Sequence, residues 1–135
     1  MRRSALIIIA LLSVLVAACG GAAVATEPGV RLVDAETAAG LATSDGVVVL
    51  DIRTPEEYAA GHIEDSLNID FYAADFADRI AALDREASYV MYCRSGNRSD
   101  AAANLMRDLG FDDVAELDGG VLSWASTGLP LVTGG

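Results

Sequence analysis

The chain has 135 residues, which is enough for one domain with a single hydrophobic core. Its 20 acidic residues outnumber its nine basic residues, all of which are arginine, and the formal net charge is −11. Such a surface repels nucleic acid and anionic lipid headgroups, and the sequence has no basic stripe interleaved with aromatic residues. We therefore expect no nucleic-acid partner.

The N-terminus has the pattern of an export signal. Residues 1–4, MRRS, are a short basic segment, and residues 5–18 form a predominantly apolar run of 14 residues. That run is shorter than the roughly 20 residues that a helix needs to span a bilayer. Residues 1–18 are therefore predicted to be a signal peptide. The run ends in VAAC, where small residues directly precede Cys19, and this resembles the bacterial lipobox.

The lipobox resemblance implies that Cys19 is lipidated and becomes the new N-terminus. The protein would then be exported and anchored by lipid to the outer face of a membrane in the bacterial cell envelope, held stably by two or three acyl chains. An uncleaved signal anchor with an incidental cysteine is the alternative. Residues 19–29 are rich in small residues and are expected to be a flexible tether. Residues 30–135 remain as the folded domain.

Strand and helix patterns alternate through the folded domain. The run VVVLDI has the composition of a strand that is covered on both faces. Thr54 and Pro55 are typical of a helix start, and Gly61 of a helix end. The predicted strands are 30–34, 47–52, 66–69, 88–93 and 114–117, and the predicted helices are 35–42, 54–61, 70–84, 99–110 and 120–128. This alternation predicts an α/β domain, a parallel sheet with helices on both faces.

The domain's only cysteine follows the strand at 88–93, in the segment YCRSGNRS. If Cys19 carries lipid, Cys93 has no partner within the chain, and an unpaired thiol in an exported protein indicates a reactive group. Ligands of open parallel sheets bind beyond the carboxyl ends of the strands, where Cys93 is expected to lie. Cys93 is therefore the candidate nucleophile. A buried and inert cysteine is the alternative.

The loop after Cys93 has the composition of an anion-binding site. Its small residues allow backbone N–H groups to turn inward as a nest, and the next helix, which Ser99 is expected to cap, adds the positive end of its dipole. Two arginines add whole charges. These features favour thiolate over thiol, so the sequence predicts a lowered pKa for Cys93. The candidate binding loop comprises Arg94, Ser95, Gly96, Asn97, Arg98 and Ser99.

The segment CRSGNRS resembles the active-site loop of rhodanese-domain sulfurtransferases. The resemblance extends to LDIRTPEEYAAGHIEDSLNI at 50–69 and LGFDDVAELDGGVLSWASTGLPL at 109–131, so that it covers residues 30–131. It implies a rhodanese-like α/β fold over 30–135, with a five-stranded parallel sheet flanked by helices on both faces. This chain departs from the family at 64–66, where Glu-Asp-Ser stands in place of the common Pro-Gly-Ala.

The resemblance implies a sulfurtransferase that needs no metal or organic cofactor. Its thiolate, Cys93, attacks the outer sulfur of a small anionic donor such as thiosulfate, and the resulting persulfide gives its sulfur to cyanide or a thiol. Arg94 and Arg98 would bind the anionic part of the donor. Ser95 and Ser99 would donate hydrogen bonds to sulfur. The candidate partners are the donor, the acceptor and an envelope redox protein.

Two other functions fit the same loop. Cysteine phosphatases cradle phosphate in a Cys-x₅-Arg loop, and some share the rhodanese fold. Cys93 and Arg98 form Cys-x₄-Arg, which makes a smaller nest, better suited to a sulfur atom than to a tetrahedral phosphate. The second alternative is a module that holds sulfur, or forms a mixed disulfide with a partner, with little turnover.

Residues outside the loop are assigned mainly structural roles. Asp51 and Arg53 lie at the end of the second predicted strand. Their side chains are expected on the same side, because side chains alternate along a strand. Two interpretations of these residues remain: an ion pair that supports the loop, or an ordinary structural pair. His62, the only histidine, resembles a structural position of the family, and Tyr72 and Trp124 are expected to pack against the domain.

Overall fold

The computed structural model describes residues 29–135. The predicted signal peptide at 1–18, the predicted lipidation site Cys19 and residues 20–28 of the predicted tether lie outside the described residues. Gly29, the last residue of the tether predicted at 19–29, is instead the first residue of a strand. Within 29–135, no helix has the length and apolar character needed to cross a bilayer.

Strands and helices alternate throughout the described residues. The strands are β1 (Gly29–Val33), β2 (Val47–Asp51), β3 (Leu67–Asn68), β4 (Ser88–Tyr92) and β5 (Asp113–Leu117). The helices are α1 (Ala35–Ala42), α2 (Pro55–Ala60), α3 (Phe76–Ala81), α4 (Asn97–Asp108) and α5 (Gly120–Ser126). The strands form one five-stranded sheet in the order β1-β5-β4-β2-β3, and every pairing is parallel. The predicted fold class is confirmed.

The central strand β4 supplies side chains to both faces of the sheet because neighbouring residues of a strand point in opposite directions. Met91 and Cys93 belong to the apolar cluster covered by α3 and α4. Val90 and Tyr92 belong to the cluster covered by α1 and α5. The chain that leaves β4 therefore starts between the ends of β2 and β5, with a helical layer on each side.

Helix α3 is shorter than the predicted helix at 70–84. The side chain of Asp70 accepts a hydrogen bond from the Tyr72 amide at 2.9 Å, and the Ala73 amide donates to the Asp70 carbonyl at 3.1 Å. These bonds hold the chain in turns, so the helix begins only at Phe76. The apolar spacing indicated the buried face correctly, because Phe76 and Ile80 are buried, but it could not locate the helix start.

Helix α4 begins two residues before the predicted start at Ser99. Gly96, at φ +108°, precedes its first residue, Asn97. Ser99 therefore lies within the first turn, where it is fully buried, and is not the capping residue. This correction changes the role of its hydroxyl, which points into the domain.

The turn at residues 64–66 is formed without the family's common glycine. Asp65 adopts φ +59°, the left-handed conformation, and the Ser66 amide donates to the Ile63 carbonyl at 3.2 Å. Aspartate is among the few non-glycine residues that tolerate this conformation. The turn is therefore kept although residues 64–66 depart from the family pattern.

Candidate active site

Cys93 lies at the carboxyl end of β4 with only 1% of its surface exposed. Its Sγ atom accepts a hydrogen bond from the Gly96 amide at 3.1 Å and lies 3.5 Å from the Ser99 Oγ atom. The positive φ of Gly96 allows the loop to fold back so that this amide faces the sulfur. The loop is thus a small cradle of donors around one sulfur atom.

Burial raises the pKa of the Cys93 thiol, but hydrogen bonds lower it by more. They come from the Ser99 side chain and the backbone of Ser99, Gly96 and Ser95, and the net pKa lies below the usual range. The predicted direction is confirmed. The lowering of the Cys93 pKa comes mainly from these uncharged donors, and not from the two arginines of the loop.

The turn between β5 and α5 supports the cysteine loop from behind. The Val121 amide donates to the Cys93 carbonyl at 2.9 Å, and the Leu122 amide donates to the Arg94 carbonyl at 3.2 Å. The turn reaches this close because Gly119 and Gly120 precede these amides, with φ of +70° and +60°. The second loop therefore fixes the backbone of the first.

Ser99 joins the sulfur to a buried carboxyl group. Its Oγ atom lies 2.8 Å from Oε1 of Glu116 and 3.0 Å from the Gly96 carbonyl oxygen. Glu116 belongs to β5 and is 6% exposed, and its burial raises the pKa of its carboxyl group. Sequence reasoning missed this residue. The signal available was a single acid within the otherwise apolar strand VAEL.

Arg98 is paired with an acidic residue of α2. Its guanidinium donates to both carboxylate oxygens of Glu57, at 2.7 and 2.8 Å, and lies 5.5 Å from the ring centroid of Tyr72. The pair raises the pKa of Arg98 and lowers the pKa of Glu57 to about 2, chiefly through the hydrogen bonds between them. Tyr72 is 68% exposed, so the expectation that it packs in the domain was wrong.

Arg94 lies beside an open cavity of about 280 Å³ next to the loop. Arg53 and Glu57 also line the cavity, and its apolar wall is formed by Ala60, Val121, Leu122, Ala125 and Leu131. The Arg94 residue is exposed. The structure thus separates the two predicted anion-binding arginines, because Arg98 is already paired while Arg94 borders a space that a small anion could enter.

The side chains of Asp51 and Arg53 lie on the same side of the chain, as strand alternation predicted, and they form a buried ion pair. Nη2 of Arg53 lies 2.6 Å from Oδ2 of Asp51 and donates to the Gly61 carbonyl at 2.7 Å. The guanidinium lies 5.3 Å from the ring centroid of Tyr92, the residue before Cys93. The pair therefore ties the end of β2 to the end of α2 and to the strand that carries the thiol.

His62 contacts α2. Its Nδ1 atom lies 2.8 Å from the Tyr58 carbonyl oxygen, and the two rings stack with centroids 3.6 Å apart. Its backbone pairs with that of Val132. These contacts support the structural assignment. In the described part of the chain, no cluster of three or more His, Cys, Asp or Glu residues could hold a metal ion.

Fold and site together define a class of protein. Residues 34–127 match the model of the rhodanese-like domain, and the chain belongs to this family. A sulfurtransferase of Allochromatium vinosum is 38% identical over 92 residues, which cover 68% of this chain and 84% of that protein. The thiosulfate sulfurtransferase GlpE of Pseudomonas aeruginosa is 45% identical over 82 residues, covering 61% of this chain and 73% of that protein.

Solved structures agree with the sequence comparison. The crystal structure of a rhodanese-related protein from Thermoplasma volcanium superimposes with a TM-score of 0.67 at 31% identity, covering 76% of this chain and 97% of that one. The rhodanese resemblance and the five-stranded parallel fold are therefore confirmed. Relatives named as sulfurtransferases support a transferase activity.

Proposed function

We propose that the protein is a rhodanese-type sulfurtransferase in which Cys93 carries the transferred sulfur as a persulfide. The observation that supports this most directly is the donor cradle around its sulfur atom, which includes the Gly96 amide at 3.1 Å. Preorganised donors of this kind stabilise negative charge on sulfur before and after transfer. The names of the relatives support the same reaction class.

The proposed reaction has two substitutions at sulfur. The Cys93 thiolate attacks the outer sulfur of thiosulfate, the sulfur–sulfur bond of the donor breaks, and sulfite leaves with the electron pair. Cyanide or a thiolate then attacks the outer sulfur of the persulfide, and the Cys93 thiolate leaves. Both steps balance without an added oxidant, reductant or metal.

The site suggests different roles for the loop residues in this reaction. The Gly96 amide, the Ser95 backbone and Ser99, whose hydrogen bonds lower the pKa of Cys93, would hold the anionic sulfur. Arg94 would attract the anionic end of the donor from the neighbouring cavity. Arg98 would position the first turn of α4 through Glu57. This division revises the expectation that both arginines bind the donor.

Intact-mass measurement of the reduced protein after incubation with thiosulfate would test the proposal. We expect a gain of one sulfur atom in the wild type and none in Cys93→Ser. Adding cyanide should remove the sulfur and form thiocyanate. The Cys93→Ser variant should remain folded, since serine is nearly isosteric with cysteine.

Three other outcomes would point elsewhere. A sulfur gain without turnover would indicate a carrier module. Hydrolysis of a phosphate ester without sulfur gain would indicate a phosphatase, although the Cys-x₄-Arg spacing argues for the smaller ligand. Capture of a partner by a mixed disulfide, again without sulfur gain, would indicate a redox module.

We also propose that the protein is exported and anchored by lipid through Cys19. The basic segment at 1–4, the apolar run at 5–18 and the VAAC sequence support this proposal. Cys19→Ser in the full-length chain should move the protein from the membrane fraction to the soluble envelope fraction. Unchanged fractionation of that variant would contradict the anchor.

A further inference from the structure

We propose that Glu116 is a positioning residue for Cys93, and that its carboxylate receives the thiol proton of Cys93 through the hydroxyl of Ser99. This inference rests on the proposed role of Cys93 as the nucleophile. Three atoms define the path: Sγ of Cys93 lies 3.5 Å from Oγ of Ser99, which lies 2.8 Å from Oε1 of Glu116.

A single hydroxyl proton limits what Ser99 can do. Its hydroxyl proton has three neighbouring acceptors, a Glu116 carboxylate, a Cys93 thiolate and the Gly96 carbonyl oxygen at 3.0 Å. It can therefore not stabilise both anions at once. All three residues are buried, with exposures of 0% for Ser99, 1% for Cys93 and 6% for Glu116. Two anions on either side of one buried hydroxyl would repel each other with little screening. The thiol and the carboxyl group therefore share one proton over an intermediate pH range.

The proton transfer balances within these three side chains. The S–H bond of Cys93 breaks as its proton moves to Oγ of Ser99, and the hydroxyl proton of Ser99 moves to Oε1 of Glu116. The Ser99 hydroxyl then faces the thiolate as a donor, and its oxygen accepts a hydrogen bond from the Glu116 carboxyl group. The result is a thiolate with a neutral carboxylic acid behind it.

The surroundings of Glu116 favour the protonated form. On β1 and β4, its partners in register are the apolar residues Leu32 and Met91. Burial raises the pKa of Glu116 most, and the charges of Asp100 on α4 and of Asp118 after β5 raise it further. The hydrogen bond from Ser99 and the charge of Arg107 on α4 oppose this. An acid in this position can hold a proton where an exposed one could not.

Two substitutions separate the proton role from packing. Glu116→Gln keeps the shape and supplies a permanent amide donor to Ser99, which imitates the protonated acid. Glu116→Leu removes the donor but suits the apolar neighbours, so the variant should fold. Ionisation of Cys93 in the full-length chain is followed by thiolate absorbance and by alkylation rate as the pH is varied. The signal of the Cys93→Ser form of each variant is subtracted as the blank.

We expect Glu116→Gln to ionise Cys93 in a single step at or below the thiol pKa of the wild type. Glu116→Leu should raise the pKa of Cys93 by about one unit, so that alkylation below that pKa slows about tenfold. The wild type should show a thiolate together with the infrared carbonyl band of a protonated carboxyl group. That band should be absent from Glu116→Gln.

Equal thiol titrations in the wild type and both variants would overturn the proposal. The proposal would also be overturned if, as the pH rises, the protonated carboxyl band disappears before the thiolate appears. Neither readout depends on sulfur transfer. A failed persulfide assay with shifted titrations would therefore reject the proposed function and leave the proton path intact.

Discussion

A Cβ atom placed on Gly120 would lie 2.5 Å from the carbonyl oxygen of Cys93. The same atom would lie 2.6 Å from the carbonyl carbon and oxygen of Arg94, so the obstruction is rigid backbone. Gly120 also has φ +60°, which favours glycine. The contact between the β5–α5 turn and the cysteine loop therefore depends on the absence of a side chain at this position.

Gly120→Ala should lower the free energy of unfolding by about 2–4 kcal/mol, because it adds backbone strain to a clash with the loop. Gly128→Ala is the matched control, since Gly128 has φ +79° but no atom within 4 Å of the added methyl group. It should cost only about 1 kcal/mol. Urea unfolding gives both values, and equal costs would contradict the close approach.

Removing the side chain of Arg94 should weaken donor binding. Arg94→Ala should raise the KM for thiosulfate about tenfold, the value of one charge-assisted hydrogen bond. The exposed Arg85 provides the control, and its replacement by alanine should leave KM unchanged. Arg98→Ala should mainly reduce stability, because Arg98 is paired with Glu57. If Arg98→Ala raised KM as much as Arg94→Ala and left stability unchanged, both arginines would bind the donor.

The pair between Arg98 and Glu57 should contribute stability over most of the pH range. The pKa of Glu57 is about 2, below its ordinary value, so the contribution is present in full above the unfolded-state pKa and is lost as the pH falls towards about 2. Glu57→Gln should cost about 1 kcal/mol, since the carboxylate is partly exposed. Unfolding measured at several pH values should show this difference constant above roughly pH 5 and shrinking below it.

The sequence predicted the parts of this domain that depend on periodicity. The apolar run at 47–52 and the capping pattern at Thr54 each located an element, and the strand predicted at 88–93 placed the thiol at the carboxyl ends of the strands. The first residues of helices were predicted less accurately than the strands. At Ser99, polar composition suggested a cap, but the positive φ of Gly96 starts helix α4 earlier.

Pairings between distant elements could not be read from local patterns. The partner of Arg98 is Glu57, 41 residues away in the chain, and the partner of Ser99 is Glu116 on a neighbouring strand. These contacts depend on the order of the strands, which periodicity alone does not give. The exposed position of Tyr72 beside Arg98 was missed for the same reason.

The ion pair between Asp51 and Arg53 is buried, and breaking it should be costly. Asp51→Asn and Arg53→Met should each lower the free energy of unfolding by about 3–5 kcal/mol, because each leaves a buried charge uncompensated. The double variant should cost clearly less than the sum of the two. A double-mutant cycle by urea unfolding measures this coupling, and additive costs would show that the two charges act independently.

The left-handed conformation of Asp65 makes a prediction about the turn that departs from the family pattern. Asp65→Gly relieves a positive φ of 59° but gives the unfolded chain more freedom, so its net effect should be a gain of about 0.5 kcal/mol. Asp65→Ala keeps the strain and lacks the tolerance of aspartate for this conformation. It should therefore be about 1 kcal/mol less stable than Asp65→Gly.

Glu64→Ala is the matched control for this turn, because Glu64 precedes Asp65 and is not among the residues with positive φ. It should change the free energy of unfolding by less than about 0.5 kcal/mol, as exposed substitutions usually do. Urea unfolding of the three variants gives the order Asp65→Gly, wild type, Asp65→Ala. If alanine and glycine at position 65 were equally stable, the turn would not be left-handed in solution, and the Asp-for-Gly departure would have changed the backbone there.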